Sequence, residues 1–215
     1  MHAEYVNRFS MKIYTIGHSN HSQAEFLHLL EMHGVNSIVD VRSVPASSHS
    51  PQFNQDALEG YLRIHNVDYL FFGKEFGARR FDSIGENGQV DFEKAVHTEL
   101  FQEGVKKLLM VLKQKSVALM CSEADPLECH RFAFLARYFH EHGFEVWHVL
   151  KDATIVSHYN LEQRMINQYI HAKRPKLPEI DELFGTYTVE DQLYDAYRLK
   201  NKEIGFRVEQ EEYLD

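Results

Sequence analysis

IYTIGHSNHSQAEFLHLLEMHGVNSIVDV, residues 13–41, is the stretch that decides the fold. Ile13 to Ile16 read as a short strand that stops at Gly17. Ser22-Gln23-Ala24-Glu25 then has the spacing of a helix capping box, in which the serine and glutamate side chains satisfy the first free amides. Phe26, Leu29, Leu30 and His33 follow at helical spacing. Gly34 is placed to end the helix in a left-handed turn, and Ser37 to Val41 resumes as a buried strand. The stretch is a β-α-β unit, whose two strands run parallel because a helix returns the chain between them.

Outward from this unit the pattern repeats. A helix is predicted from near Asn54, with Leu58, Tyr61 and Leu62 on one face, and a strand from Val67 to Phe72. Residues 73–90 carry Gly73, Gly77, Gly85 and Gly88 among charges and aromatics and read as a long lid or binding loop. In that loop Phe76 and Phe81 stand beside Lys74, Arg79 and Arg80 as ligand-stacking candidates, while Tyr69, Phe71 and Phe72 alternate as a core strand does. A helix is predicted over Asp91 to Lys113, interrupted at Gly104, then a strand from Val117 to Cys121. Cys129 to His142 reads as a helix stopped by Gly143, and Glu145 to Leu150 as a fifth strand.

Strands alternating with helices predict a three-layer α/β fold, a mainly parallel sheet of about five strands with helices on both faces. Residues 12–150 are read as this α/β domain and 151–215 as a helical, acidic carboxyl-terminal extension. In the extension Ser157 to Ala172 is helical, Lys173 to Pro178 is a linker, and Thr188 caps a last helix.

A chain of 215 residues with 44% hydrophobic content can bury a substantial core, which excludes wholesale disorder. The formal charge of −9 argues against extended nucleic acid or anionic lipid as a partner, though a local basic pocket can still hold one anion. No apolar run has the length of a membrane span, and the amino terminus lacks the basic-then-apolar order of a signal peptide. With Cys121 and Cys129 as the only cysteines, the composition suits a reducing compartment, and a cytoplasmic protein is expected.

Ligands of open parallel sheets bind beyond the carboxyl ends of strands. Three polar segments fall there: Gly17-His18-Ser19-Asn20, Asp40-Val41-Arg42, and Cys121-Ser122-Glu123-Ala124-Asp125 leading to Cys129-His130-Arg131. A helix starting near Cys129 offers free amides which, with the Arg131 and Arg42 guanidinium groups, form an anion site. Salt bridges from Arg131 to Asp40 or Glu123 are the structural alternative. Glu123, His18 and His130 are the candidate proton-transfer groups. Ser19, Asp40, Arg42, Cys129 and Arg131 are the candidate ligand-binding residues. Cys129 beside His130 is either a nucleophile or a small buried hydrophobe, and Cys121, at the end of an apolar strand, is blander. No cofactor is predicted; zinc on Cys121, Cys129, His130 and His18 is the alternative, with ligand types that fit and a spacing that matches no standard pair.

Ile16-Gly17-His18-Ser19, Asp40-Val41-Arg42-Ser43-Val44-Pro45 and Cys121-x-Glu123 leading to Cys129-His130-Arg131 together resemble the prokaryotic domain of unknown function numbered 488, over roughly residues 12–150. The resemblance implies a three-layer α/β fold and places the family's polar motif at His18, Ser19, Asp40, Arg42, Cys121, Glu123, Cys129, His130 and Arg131. It implies no reaction. Where a basic residue is expected after Pro45 this chain has Ala46-Ser47-Ser48-His49, so anion binding is expected either to be weaker or to rely on Arg79 or Arg80. The function expected from the residues is that of a hydrolase or group transferase acting on a small phosphorylated or nucleotide-like ligand. The alternative is a noncatalytic sensor or adaptor that binds a nucleotide or a nucleic-acid end in the same pocket. The chain has no Gly-x-Gly-x-x-Gly, which argues against a nicotinamide-dependent enzyme.

Overall fold

The computed structural model describes residues 11–171 and 187–208. A six-stranded sheet has the order β3-β2-β4-β1-β5-β6, built from β1 (Lys12–Gly17), β2 (Ser37–Asp40), β3 (Asp68–Phe71), β4 (Val117–Cys121), β5 (Glu145–Val149) and β6 (Ile155–Ser157). All neighbours are parallel except β5 and β6. Helices α1 (Gln23–Met32) and α2 (Gln55–Ile64) cover one face. There Phe26, Leu29, Leu30, Leu58 and Leu62 pack on Tyr14, Ile16, Ile38 and Met120. The other face carries α5 (Glu99–Leu112), α6 (Arg137–Glu141), α7 (His158–Ile166) and α8 (Val189–Ile204), whose apolar sides meet Ile13, Val39, Val117 and Leu119. Side chains of a strand alternate between faces, and in β1 Ile13 and Tyr14 accordingly enter different cores.

The opening unit forms as its sequence dictates. Ser22 and Glu25 make the reciprocal capping box of α1, and Gly34 follows at φ 64. Thr188 likewise caps α8 with a reciprocal bond from Asp191.

The three-layer, mainly parallel sheet is as read, and four details are refined or corrected. First, the sheet has a sixth strand: Ile155–Ser157 runs antiparallel on β5, with Trp147 opposite Ser157. The sheet therefore extends past residue 150, and Ala196 and Tyr197 of α8 join the core around Phe132. Second, the helix read over 91–113 is two, α4 (Phe92–Ala95) and α5, and the break falls at Val96–Thr98 instead of Gly104. Asp91 and Thr98 each cap a helix with their own side chains. Gly104 lies inside α5, where a Cβ would stand 2.6 Å from Glu75 Cβ and 2.9 Å from the Phe76 ring. Tertiary approach at Gly104 outweighs its helix cost of about 1 kcal/mol.

Third, residues 73–90 are packed down. They open with the helical turn α3 (Gly73–Phe76) and close with a bridge between Ile84 and Val90. Phe76 is fully buried among Phe72, Phe101 and Phe139, which removes it as a ligand-stacking group; Phe81 stays exposed. Arg80 is also buried, donating to the Glu75 carbonyl, Asp82 and Thr98 Oγ1. Fourth, the helix read from Cys129 starts one residue later, at His130. Asp125 accepts from the Leu127 amide and sets a single 3-10 turn over Pro126–Glu128, leaving Cys129 extended at φ −139, ψ 144. The helix then runs as a wide π-type stretch, Arg131–Ala136, before α6. Lys173 to Pro178, read as a linker, lies outside the described residues.

Candidate functional site

Register sets the site. Gly17 is opposite Cys121 and Asp40 opposite Met120, so β1, β4 and β2 end level with one another. Pairing continues past the strands: His18 N donates to Cys121 O (2.9 Å), Ser19 N to Ser122 O (2.8 Å) and Val41 N to Met120 O (3.0 Å). The Glu123 carbonyl also lies over Gly17, where a Cβ would be 1.8 Å from it, so only glycine fits. From β1 the chain crosses to β2, whereas from β4 it crosses the other way to β5. Adjacent strands with opposite departures make a topological switch point, the place where open α/β sheets take ligands.

Two arginines and a histidine frame this edge. Asp40 is fully buried and receives Arg42 Nε (2.9 Å), Arg42 Nη2 (2.5 Å) and the Tyr69 hydroxyl (2.6 Å). Arg42 also donates through Nη2 to Phe53 O (2.8 Å), and its Nη1 lies 3.3 Å from His18 Nε2. Burial works against the Arg42 charge, but the bonds and charge of Asp40 hold its pKa above the ordinary value. Burial, then the Asp40 charge, likewise pushes the Tyr69 phenol up.

His18 is buried and stacked on Phe53 at 4.4 Å. Its Nδ1 pairs with the Ser19 carbonyl at 2.9 Å, which makes Nδ1 the protonated nitrogen and Nε2 the acceptor facing Arg42. Burial brings its pKa down to about 4, the Ser19 bond opposing and Arg42 assisting, so the ring is neutral near pH 7. Arg131 is fully buried, with Nη1 on Glu123 O (2.7 Å) and Nη2 on Ala124 O (3.2 Å). Both arginines thus have partners inside the protein, although among the described residues the buried Arg131 Nε has none. Arg131 holds the 123–124 backbone by its carbonyls, while its ion pair with the Glu123 carboxylate is long, at 4.0 Å.

At the centre stand the two thiols and one imidazole. The 122–128 segment folds back so that Cys129 and His130 return beside Cys121, and one ligand atom of each lies within 4.8 Å of the others. His130 Nε2 pairs with the Val41 carbonyl at 3.1 Å, which assigns the proton to Nε2. Its Nδ1 faces both sulfurs, at 3.7 Å from Cys121 Sγ and 3.7 Å from Cys129 Sγ. The Arg131 amide donates to Cys129 Sγ at 3.4 Å.

Burial opposes ionisation of Cys129, but the Cys121 thiol bond and the Arg131 and His130 charges outweigh it and hold Cys129 well below the usual thiol range. Cys121 moves the other way, raised by its bond to Cys129 and by burial. Burial would lower His130, yet the neighbouring Cys129 raises it. Glu123, whose side chain is 43% exposed, is raised by partial burial and then by Cys129 beside it. All three cluster residues are buried, and the exposed Glu123 side chain lies beside Cys129.

Of the residues singled out from sequence, Cys129, His130 and Glu123 come together, with Arg131 beneath them. His18, Asp40 and Arg42 form the adjoining buried lattice, and Ser19 sits at the rim with φ 47. Cys121 belongs at the centre, although its place on an apolar strand reads as core. Tyr69, which alternates as a core strand residue, bonds Asp40, and Phe53, which no sequence signal singles out, stacks on His18. A groove of about 1090 Å³ between α8 and residues 85–94 touches none of these side chains.

Fold and site together define an α/β protein with a thiol- and histidine-bearing centre at the switch point of a parallel sheet. The family described as Domain of unknown function DUF488 matches residues 22–139, more than half of the chain, and the chain belongs to that family. That span includes every central residue but begins after His18 and Ser19. No curated protein and no solved structure matches the chain. Among the described residues no helix is long and apolar enough to cross a membrane.

Proposed function

We propose that the chain is a hydrolase or group transferase that acts on a small anionic, nucleotide-like ligand over the ends of β1, β2 and β4, with Glu123 moving the proton. The observation that carries this reading is the half-exposed Glu123 carboxylate beside a buried thiol–imidazole cluster, at a switch point. A general acid or base must reach both substrate and reacting centre, and Glu123 is the carboxylate so placed. His18 is neutral with both ring nitrogens engaged, so it positions Arg42 and Ser19 instead of titrating with substrate. The ligand anion is met at the rim by Lys151, whose ammonium lies 2.9 Å from Asn20 Oδ1, next to Ser19.

The test is a screen of nucleotides and sugar phosphates for binding by thermal shift, followed by turnover assays on every binder with wild type, Glu123→Gln and Lys151→Ala. Glu123→Gln is expected to keep ligand affinity within a few fold and lose turnover, and Lys151→Ala to raise KM with kcat little changed. Wild-type kcat in Glu123→Gln overturns the role of Glu123. A ligand that binds tightly and is never turned over by wild type makes the site a sensor's.

A further inference from the structure

We propose that Cys121, Cys129 and His130 are the protein ligands of a zinc-class divalent metal ion, whose fourth position opens toward Glu123. Tetrahedral zinc with Zn–S near 2.3 Å and Zn–N near 2.0–2.1 Å requires sulfur and nitrogen ligands to stand about 3.6 Å apart. Both sulfurs lie 3.7 Å from His130 Nδ1, so the spacing exists before any ion arrives.

The surroundings fit the same role. His130 gives its Nε2–H to a backbone carbonyl, which leaves the Nδ1 lone pair aimed between the thiols; metal-bound histidines are oriented in this way. A backbone amide donates to Cys129 Sγ, as it would to a metal-bound thiolate. Two thiolates balance the charge of a divalent ion, so the filled site adds no net charge to a buried place. Three protein ligands, two of them sulfur, favour zinc over magnesium or calcium, which prefer oxygen. The three ligands are almost inaccessible, whereas Glu123 beside Cys129 is half exposed, and this fixes the open side.

Metal binding stands on this cluster alone; its use in catalysis rests on the hydrolytic reading above. Three protein ligands with one open position are the pattern of catalytic zinc, which lowers the pKa of a water held there. Glu123 takes the proton from that water and returns it to the leaving group. The water oxygen bonds to the substrate as the bond to the leaving group breaks, consuming one water and no oxidant.

The test uses the full chain, kept reduced and stripped of metal with a chelator. Zinc is titrated against a chromophoric competitor, and cobalt is added separately as a spectroscopic probe. One equivalent of zinc per chain is expected, with cobalt giving tetrahedral ligand-field bands and a thiolate-to-cobalt charge-transfer band. Cys129→Ser and His130→Ala are each expected to weaken zinc by more than about a hundredfold, beyond the 10–100-fold that losing a supporting partner costs. His28→Ala, an exposed histidine on α1, should change nothing. The cobalt spectrum of the unaltered chain answers the question even if a variant fails to fold. Absence of stoichiometric zinc binding, a cobalt spectrum without the charge-transfer band, or full affinity in Cys129→Ser overturns the proposal. Tight zinc binding with undiminished turnover in Glu123→Gln sustains the metal site and removes the catalytic reading.

Discussion

Replacing Arg42 by alanine separates a structural from a ligand-binding role for this residue. Asp40 is fully buried, and Arg42 supplies most of the donors to its carboxylate; Tyr69 supplies the other. Removing one partner of a buried ion pair leaves an uncompensated charge, at a cost of about 3–5 kcal/mol. For a chain of this size each kcal/mol lowers Tm by roughly 2–4 °C, so a fall of about 6–20 °C is expected in scanning calorimetry. Arg42→Lys should recover little, because an ammonium cannot reproduce the fork that meets both Asp40 oxygens. Asp40→Leu combined with Arg42→Met, which removes both charges, should recover more than half of the loss. A Tm for Arg42→Ala within about 2 °C of wild type would refute the lattice and return Arg42 to an anion-binding role.

Two further outcomes follow from packed geometry. His148 is buried between Thr15 Oγ1 (2.8 Å) and His158 Nδ1 (3.1 Å), and His158 Nε2 pairs with the Tyr197 hydroxyl (2.8 Å), which donates to Glu162. Burial holds both histidines below their ordinary pKa, His148 well below. The unfolded chain therefore takes up these protons first. Stability is full above about pH 7 and drains as pH falls below about 6.5, by up to about 1.4 kcal/mol per unit for each histidine. Glu162 is held below the usual carboxylate value by His158 and Tyr197 despite burial, so its contribution is lost only below about pH 4.5. Urea midpoints that stay level from pH 7.5 to 5.5 would contradict this, and His148→Gln should flatten the slope. Gly17→Ala is expected to displace the Glu123 carbonyl and sharply lower both soluble yield and Tm, since its Cβ would stand 1.8 Å from that oxygen. Unchanged melting and unchanged zinc affinity in this variant would show that the 122–128 segment yields freely.

Much of the scaffold was legible because its signals are local. The Ser22–Glu25 box, the stops at Gly34 and Gly143, the apolar run Val117–Cys121 and the Thr188 cap are each short-range physics, and each appears where the sequence puts it. What was misread depends on contacts distant in the chain. Gly104 reads as a helix breaker until α5 lies on Glu75 and Phe76, and Phe76 reads as a loop aromatic until Phe101 and Phe139 surround it. Ile155–Ser157 is too short to show a strand period, and Ser157 doubles as the cap of α7.

The candidate site divides the same way. That polar residues gather at the ends of β1, β2 and β4 follows from the α/β pattern, and Cys129, His130 and Glu123 are drawn together there. That Arg131 turns inward to two carbonyls, and that Cys121 belongs with Cys129, depends on the path of 122–128. Asp125 and Pro126 set that path by a turn, so the spacing matches no linear motif.

The most direct test of the central claim is the zinc-edge X-ray absorption spectrum of the reduced full chain loaded with one equivalent of zinc. The arrangement of Cys121, Cys129 and His130 predicts two sulfur scatterers at about 2.3 Å and a nitrogen or oxygen shell at about 2.0–2.1 Å that includes one imidazole. A first shell of nitrogen and oxygen alone would place the ion elsewhere and leave the thiols as core.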